Sequence, residues 1–216
     1  NAKSLKRVIK YDASNLKLSD DGTILAAQSN FQDYQYASEI SLKIFSLQTG
    51  NIIQKWDYNI NDSTYLYDFD LSKKGRIISR EELLSNNWTK SRILVNKLDS
   101  GELILFLEKG IDTDSKISPD GSGVAIGINK YQTDIYENGT LASSIKGKLV
   151  GWINNRRLLI NTYTPGGVFL ESHIYSRDGL EISKLSIPEV SSFTSISDSE
   201  IFSHTHNTIY DLRTGN

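Results

Sequence analysis

A short turn motif, repeated at intervals along the chain, is the sequence feature that most constrains the fold. Its clearest copy, Ile117-Ser118-Pro119-Asp120-Gly121, follows a short alternating run and precedes an apolar one. Proline presets φ, aspartate bonds to the local backbone and glycine accepts positive φ, so the motif predicts a strand–turn–strand. Degraded copies occur at Leu18-Ser19-Asp20-Asp21-Gly22, Leu71-Ser72-Lys73-Lys74-Gly75, Trp152-Ile153-Asn154-Asn155 and Ile196-Ser197-Asp198-Ser199.

The spacing of these copies predicts the architecture. Their first residues lie 53, 46, 35 and 44 positions apart, and the runs around each copy are typical of four short strands, A to D, in one meander. Such a period with four strands per unit is the signature of propeller blades. The sequence therefore predicts an all-β, five-bladed propeller of four-stranded antiparallel blades. The only helical candidate, Arg80 to Leu84, is too short to change this prediction.

The predicted domain is a single propeller over residues 1–216, with blades at roughly 12–57, 64–108, 112–147, 148–188 and 190–216. The fifth unit has no D strand after Thr214-Gly215, whereas Leu5 to Lys10 belongs to no unit. The simplest solution is that residues 1–11 supply the missing strand of the fifth blade. That closure would remove an open sheet edge.

Several of these segments resemble a known family. The motif Ile117-Ser118-Pro119-Asp120-Gly121, followed by Val124-Ala125-Ile126, is similar to the "SPDG" signature of TolB-like and WD-repeat propellers. Phe45-Ser46-Leu47-Gln48-Thr49-Gly50 and Tyr210-Asp211-Leu212-Arg213-Thr214-Gly215 resemble the WD-repeat pattern of an aromatic residue, a polar residue and then Thr-Gly. No unit carries the Gly-His pair or a Trp-Asp dipeptide at the end of strand C, which argues against the His–Asp network of WD repeats. The resemblance implies a propeller, a fold that hosts binding, scaffolding and many chemistries.

Composition excludes several classes of function. The chain has 216 residues and no cysteine, so disulfides, thiol catalysis and cysteine metal sites are excluded. The net charge of -2 gives no electrostatic case for nucleic acid or an anionic membrane. No apolar run approaches the roughly 20 residues of a membrane helix, so no membrane insertion is expected. None of these features indicates a cellular compartment.

Aromatic residues in the predicted B–C loops are the leading candidates for a binding site. The first unit has Phe31, Tyr34 and Tyr36 within six residues, the second has Trp88 and the fourth has Tyr163. Tyrosine and tryptophan offer large contact areas with few rotatable bonds, which suits recognition. The rings could equally cover neighbouring blades. We expect a non-catalytic binding or scaffold module that recognises a protein partner, with no cofactor.

A carbohydrate-binding or carbohydrate-cleaving propeller is the alternative. Asp68, Asp70, Asp112 and Asp114 lie on or just before predicted inner strands, where two carboxylates could act as an acid/base pair, as in five-bladed glycosidases. The alternation of Asp68 and Asp70 with apolar neighbours is, however, the ordinary pattern of a half-buried strand. No Gly-x-Ser-x-Gly elbow and no phosphate-binding glycine loop occurs, so no catalytic residue is assigned.

A pair of histidines is the one pattern that suggests a metal. His204 and His206 would point to one face if they lay on a strand. A site would need a third ligand, for which Asp211 is only a nearby possibility. The other interpretation is a polar strand end or loop, and we expect no metal site.

Overall fold

The computed structural model describes residues 13–29, 39–59, 64–84, 90–110 and 113–214, and every regular element within them is a β-strand. In chain order the strands are β1 (Ala13–Leu18), β2 (Ile24–Ser29), β3 (Glu39–Ser46), β4 (Ile52–Asn59), β5 (Thr64–Leu71), β6 (Ile77–Leu84), β7 (Lys90–Lys97), β8 (Leu103–Gly110), β9 (Asp114–Ile117), β10 (Gly123–Asn129), β11 (Gln132–Glu137), β12 (Thr140–Lys146), β13 (Lys148–Asn154), β14 (Arg157–Tyr163), β15 (Phe169–Ser176), β16 (Glu181–Leu185), β17 (Phe193–Ser197), β18 (Glu200–Ser203) and β19 (Thr208–Asp211).

The strands form five antiparallel meanders, which are the blades of a five-bladed β-propeller, as predicted. Blades 1 to 4 are β1–β4, β5–β8, β9–β12 and β13–β16, and the described part of blade 5 is β17–β19. The first strands of successive blades are neighbours around the axis of the propeller. The helical candidate at Arg80 to Leu84 is part of strand β6. None of the described segments is a helix of the length and apolarity needed to cross a membrane. The predicted closing strand, Leu5 to Lys10, lies outside the described residues.

The hydrophobic core consists of four clusters, each held between two successive blades. Between blades 3 and 4, Ala125 and Ile135 of one blade pack with Trp152 of the other. Trp152 is the first residue of its turn motif, and the equivalent Leu71 and Ile117 are also buried against the preceding blade. Side chains alternate between the two faces of each blade. Blades 2, 3 and 4, which each lie between two described blades, are therefore apolar on both faces.

The turn motif is a compact set of hydrogen bonds between the first and second strands of a blade. In blade 3 the Ser118 hydroxyl donates to Asp120 (2.8 Å) and accepts from the Gly123 N–H (2.9 Å). Asp120 also accepts from the Ser122 N–H (3.0 Å), and Gly121 has a φ of 79°. Burial opposes ionisation of Asp120, but these hydrogen bonds outweigh it and hold the pKa of Asp120 below its usual value.

The Asn-Gly pair of blade 3 forms the predicted hairpin turn between β11 and β12. Both residues have positive φ, 48° at Asn138 and 81° at Gly139, as a two-residue type I′ turn requires. A Cβ on Gly139 would lie 2.2 Å from the carbonyl oxygen of Ile104 in blade 2. The glycine therefore permits both the turn and the close approach of two blades.

We expect Ser118→Ala to lower the free energy of unfolding by about 1–3 kcal/mol, because it leaves the buried Gly123 N–H without its acceptor. Denaturant unfolding measures the change. Ser100→Ala is the control, since Ser100 is exposed and only accepts a 3.3 Å bond from the Glu102 N–H. Equal losses in the two variants would contradict the structural role of the motif serine.

Candidate functional site

One residue of each inner strand, directly before the turn motif, faces the axis of the propeller. Together with their neighbours these residues line a channel cavity of about 460 Å³. The two-residue period of a strand explains the arrangement, because the first motif residue points into the blade interface and its neighbour points away from it. The channel positions are Lys17, Asp70, Lys116 and Gly151 in blades 1 to 4. In blade 5 the pairing shifts after Ser195, so Thr194, one residue earlier, takes the equivalent position.

Asp70 connects three blades in this channel. Its carboxylate lies 3.5 Å from the Lys17 ammonium of blade 1 and accepts a 2.9 Å hydrogen bond from the Ile117 N–H of blade 3. Burial raises the pKa of Asp70, and the opposing effects of Lys17 and the N–H donor are smaller. The side chain is therefore held in place by structural contacts on both sides.

Lys116 and Asp114 form the second charged pair of the channel, with their charged atoms 2.7 Å apart. Burial alone would lower the pKa of Lys116, but the attraction and hydrogen bond of Asp114, together with the charges of Asp70 and Asp68, outweigh it and the pKa is raised. The carbonyl of Lys116 accepts a 2.9 Å hydrogen bond from the Trp152 indole N–H, which ties blade 3 to blade 4.

Two further acidic residues near the channel, Asp68 and Glu81, also accept hydrogen bonds. Asp68 accepts hydrogen bonds from the Phe69 N–H (2.8 Å) and the Asn15 amide (3.4 Å). Glu81 is buried and accepts from the Thr113 hydroxyl (2.6 Å). Each of the three predicted carboxylates that the structure describes, Asp68, Asp70 and Asp114, thus has a partner, and Asp112 lies outside the described residues.

A second cavity, of about 560 Å³, lies at the end of the propeller that carries the loops between second and third strands. We call this end the B–C face. The cavity is bounded by the start of the inner strands of blades 3 and 4 and by the β10–β11 hairpin. Asp114 lines both this cavity and the channel, so the two spaces are adjacent.

Tyr67 forms one wall of the cavity because of a β-bulge. The pairing of β5 with β6 shifts between Leu66 and Asp68, which leaves Tyr67 as the extra residue. Leu66 and Phe69 remain buried, whereas 57% of Tyr67 is exposed. Bulges redirect a side chain in this way and are frequent beside functional sites.

Tyr131 forms the opposite wall, at the tip of the β10–β11 hairpin. Its hydroxyl donates to the Pro165 carbonyl (3.0 Å) in the B–C loop of blade 4, so the exposed ring is held in one position. The Lys130 ammonium lies 5.3 Å from the centre of this ring. Lys148, also exposed, adds a second cation to the cavity.

Among the aromatic residues predicted from the sequence, the structure describes Tyr163 and places it at the end of β14. Its hydroxyl donates to Glu189 (2.5 Å) and its ring contacts Phe169 edge-on at 6.0 Å. Burial, followed by the hydrogen bond to Glu189, raises the pKa of Tyr163 to about 12. Tyr163 is thus on the expected side but does not line the cavity. Phe31, Tyr34, Tyr36 and Trp88 lie outside the described residues.

His204 and His206 lie in the turn between β18 and β19, so the strand geometry assumed for a metal pair is wrong. The His204 ring meets the Thr194 hydroxyl at 2.9 Å, and the His206 ring meets the Glu189 carbonyl at 2.8 Å. Within the described ranges, no three histidine, aspartate or glutamate side chains are grouped so that they could hold a metal ion.

Sequence reasoning missed Tyr67 and Tyr131. The alternation of apolar and polar residues along β5 does not reveal Tyr67, because the bulge that exposes it depends on the pairing of β5 with β6. Tyr131 could have been found, because Asn129-Lys130-Tyr131-Gln132 joins two clear strands and therefore has to be a tight turn.

No protein-family model and no curated protein matches this sequence. Solved structures do match its fold. The β-propeller domain of the Trilobed protease from Pyrococcus furiosus is 15% identical, with a TM-score of 0.59 over 88% of this chain and 61% of that one. BamB from Moraxella catarrhalis is 12% identical, with a TM-score of 0.57 over 94% and 62%. A chain of the Mitotic Checkpoint Complex is 10% identical, with a TM-score of 0.59 over 96% and 65%.

The chain thus spans less than two thirds of the length of each of these structures. At these identities the likeness concerns the fold alone. It agrees with the resemblance to TolB-like and WD-repeat propellers at that level, and this chain has the β-propeller fold.

We expect Glu81→Gln to reduce the pH dependence of stability. Burial raises the pKa of Glu81 to about 7 from its ordinary 4.5. Between these two values the folded chain binds more protons than the unfolded one, so stability falls as pH rises through this window. The glutamine stays neutral, and above that window the variant should be more stable than the parent by about 1–3 kcal/mol.

Thermal melts across this pH range measure the effect. Glu108→Gln is the matched control, since it makes the same substitution at a glutamate that is exposed on the outer strand β8. A Glu81→Gln variant with the parent's pH slope would show that Glu81 does not titrate as the structure implies.

Proposed function

We propose that this chain is a non-catalytic binding module that recognises a protein partner through its B–C face. One observation carries the proposal, namely the 560 Å³ cavity between the exposed rings of Tyr67 and Tyr131. Exposed tyrosines beside a concave surface are the usual anchors of a protein interface.

The construction of the cavity suits recognition. Tyr67 stands on an inner strand and Tyr131 on a two-stranded hairpin braced by Pro165, so little side-chain freedom is lost on binding. The charges favour an acidic segment of the partner. Lys130 and Lys148 are exposed at the cavity, whereas the negative charge of Asp114 is already balanced by Lys116.

The aromatic residues predicted from the sequence belong to the same proposal. Phe31, Tyr34 and Tyr36 fall between β2 and β3, and Trp88 falls between β6 and β7, which are B–C connections of blades 1 and 2. We include them, with Tyr163, in the proposed binding residues. One of the similar structures is a chain of the Mitotic Checkpoint Complex, so a propeller of this fold is found in at least one assembly.

Carbohydrate binding or cleavage is the second candidate, and one observation favours it. Asp70, whose pKa burial raises, and Asp114, which is paired with a lysine, line the same channel. Two carboxylates in different environments can divide acid and base roles. A glycan array decides between the two functions, because specific sugar binding that is lost in Asp114→Asn would replace the protein-partner proposal.

We expect Tyr67→Ala combined with Tyr131→Ala to weaken partner binding by about 2 kcal/mol or more, as the loss of two anchor residues does. The partner is first captured by chemical cross-linking to the unmodified chain, and its affinity for each variant is then measured by calorimetry. Unfolding curves have to show that the double variant stays folded.

Phe106→Ala is the matched control, since Phe106 is a half-exposed aromatic residue on outer strand β8, away from the B–C cavity. Its affinity should equal that of the parent. If the double variant binds as tightly as the control, the cavity is not the binding site. The combination of Tyr34→Ala with Tyr36→Ala tests the predicted loop of blade 1 in the same titration.

A further inference from the structure

Another cavity, of about 520 Å³, lies on blade 4 at the end of the propeller that carries the motif turns, opposite the B–C face. It is bounded by the turn between β13 and β14, by the turn between β15 and β16 and by the edge of blade 3. We call it the arginine cavity, because three of its lining residues are arginines. The lining residues are Glu137, Arg156, Arg157, Ser176, Arg177, Asp178 and Ile182.

Hydrogen bonds fix the two turns of the arginine cavity to each other and to blade 3. The Arg177 N–H donates to the Arg156 carbonyl (2.8 Å), which joins the two turns. The Arg177 guanidinium donates to the hydroxyl and to the carbonyl of Ser122 in blade 3 (both 2.7 Å) and forms an ion pair with Glu137. The backbone around the cavity is therefore held in place before any ligand binds, which lowers the entropic cost of binding.

The charges of the arginine cavity are only partly balanced. Arg177 and Glu137 neutralise each other, which leaves Arg156 and Arg157 opposite Asp178. Among the described residues the Arg156 side chain has no hydrogen-bond or ion-pair partner, since its contacts are made by the backbone. Arg157 has one long contact, 3.4 Å from its Nη1 to a backbone carbonyl of blade 5. The cavity thus has a surplus of one positive charge and guanidinium donors that a ligand can engage.

The corresponding cavity on blade 2 is electrically balanced. It lies at the same end of the propeller and has a volume of about 310 Å³. Its charged lining residues are Arg76, Lys97, Asp99 and Asp120, two of each sign. The surplus of positive charge is therefore a property of blade 4 and not of this end of the propeller in general.

One wall of the arginine cavity is apolar. Ile182 lines it and is 51% exposed, and Leu180 in the adjoining turn is 69% exposed. Guanidinium groups bind carboxylate and phosphate oxygens through two parallel N–H donors. A ligand that fits both walls therefore carries an anionic group next to an apolar one.

We propose that the arginine cavity binds an oxyanion, a carboxylate or a phosphate group, on a peptide side chain whose apolar neighbour contacts Ile182. Arg156 and Arg157 supply the donors for the oxyanion, and Arg177 holds the two turns in position. The site lies at the opposite end of the propeller from the B–C face, so both can be occupied at the same time. It does not depend on the partner proposed for the B–C face.

Titrations followed by NMR of the arginine Nε–Hε signals test the proposal, at constant ionic strength so that general screening does not change. The probes are inorganic phosphate and three synthetic peptides, Gly-Ser-X-Leu-Ser-Gly, in which X is phosphoserine, glutamate or serine. At least one anionic peptide should shift the signals of Arg156 and Arg157 saturably, and the serine peptide should not. The tighter of the two anionic peptides identifies the oxyanion. Inorganic phosphate that binds as tightly as the peptides would contradict the apolar contact.

Arg156→Gln combined with Arg157→Gln should weaken peptide binding by about tenfold or more, because charge-assisted hydrogen bonds are lost. Arg76→Gln combined with Lys97→Gln is the matched control: it removes the same charge from the corresponding cavity and should leave the affinity unchanged. Ile182→Ser should weaken the binding of the peptide but not that of inorganic phosphate. None of the substituted side chains is buried, so all variants should keep the parent's melting behaviour. The absence of a saturable shift with any anionic probe, or equal losses in the two double variants, would overturn the proposal.

Discussion

Packing between blades is the interaction on which the rest of this structure depends. A four-stranded sheet of this size has two apolar faces and cannot cover either of them alone. Buried residues on the second and third strands of one blade therefore meet the first turn-motif residue of the next blade in a shared cluster, as Ala125, Ile135 and Trp152 do. This requirement is why the apolar clusters lie between successive blades.

The same requirement explains why the channel is polar without having to be catalytic. The first strand of each blade has no strand partner on the edge that faces the axis. Polar side chains form hydrogen bonds there between the first strands of successive blades. Asp70 accepts from the Ile117 N–H of the next blade, and the Ser195 hydroxyl donates to the Ile153 carbonyl (2.7 Å). A carboxylate at such a position is expected for mechanical reasons, so its presence alone is weak evidence for chemistry.

A buried network of charged side chains lies beside the apolar cluster between blades 1 and 2. Arg80 donates to Glu82 and to the Tyr58 hydroxyl, both at 2.8 Å, and its guanidinium lies 4.4 Å from the centre of the Trp56 ring. Arg92 donates to the second oxygen of Glu82 (2.6 Å). Burial raises the pKa of Tyr58, so its hydroxyl keeps its proton and serves as a donor. Such a network tolerates burial because each charge has a partner.

The sequence predicted the features that depend on local chemistry and missed those that depend on tertiary contacts. The motif turns and the Asn138-Gly139 hairpin were predictable because φ and hydrogen bonding are decided within a few residues. The run from Arg80 to Leu84 is the only helical candidate of the sequence, because nothing local shows that Tyr58 and Thr113 will form hydrogen bonds with the side chains of Arg80 and Glu81 in a buried strand. The bulge at Tyr67 is invisible for the same reason: it is a property of the pairing between β5 and β6.

The two ends of the propeller differ in how their blades are joined. At the end that carries the motif turns, polar bonds join one blade to the next. The Asp20 N–H donates to the Lys73 carbonyl (2.7 Å), and the Asp120 N–H donates to Asn155 (2.8 Å). A substitution that removes one of these bonds should weaken the contact between two blades. At the B–C face the Tyr131 hydroxyl donates to the Pro165 carbonyl (3.0 Å) and joins the loops of blades 3 and 4, whereas the ring of Tyr67 is exposed. An exposed side chain such as Tyr67 can therefore change at little cost to the fold, whereas Thr113, whose hydroxyl donates to Glu81 of the preceding blade, cannot.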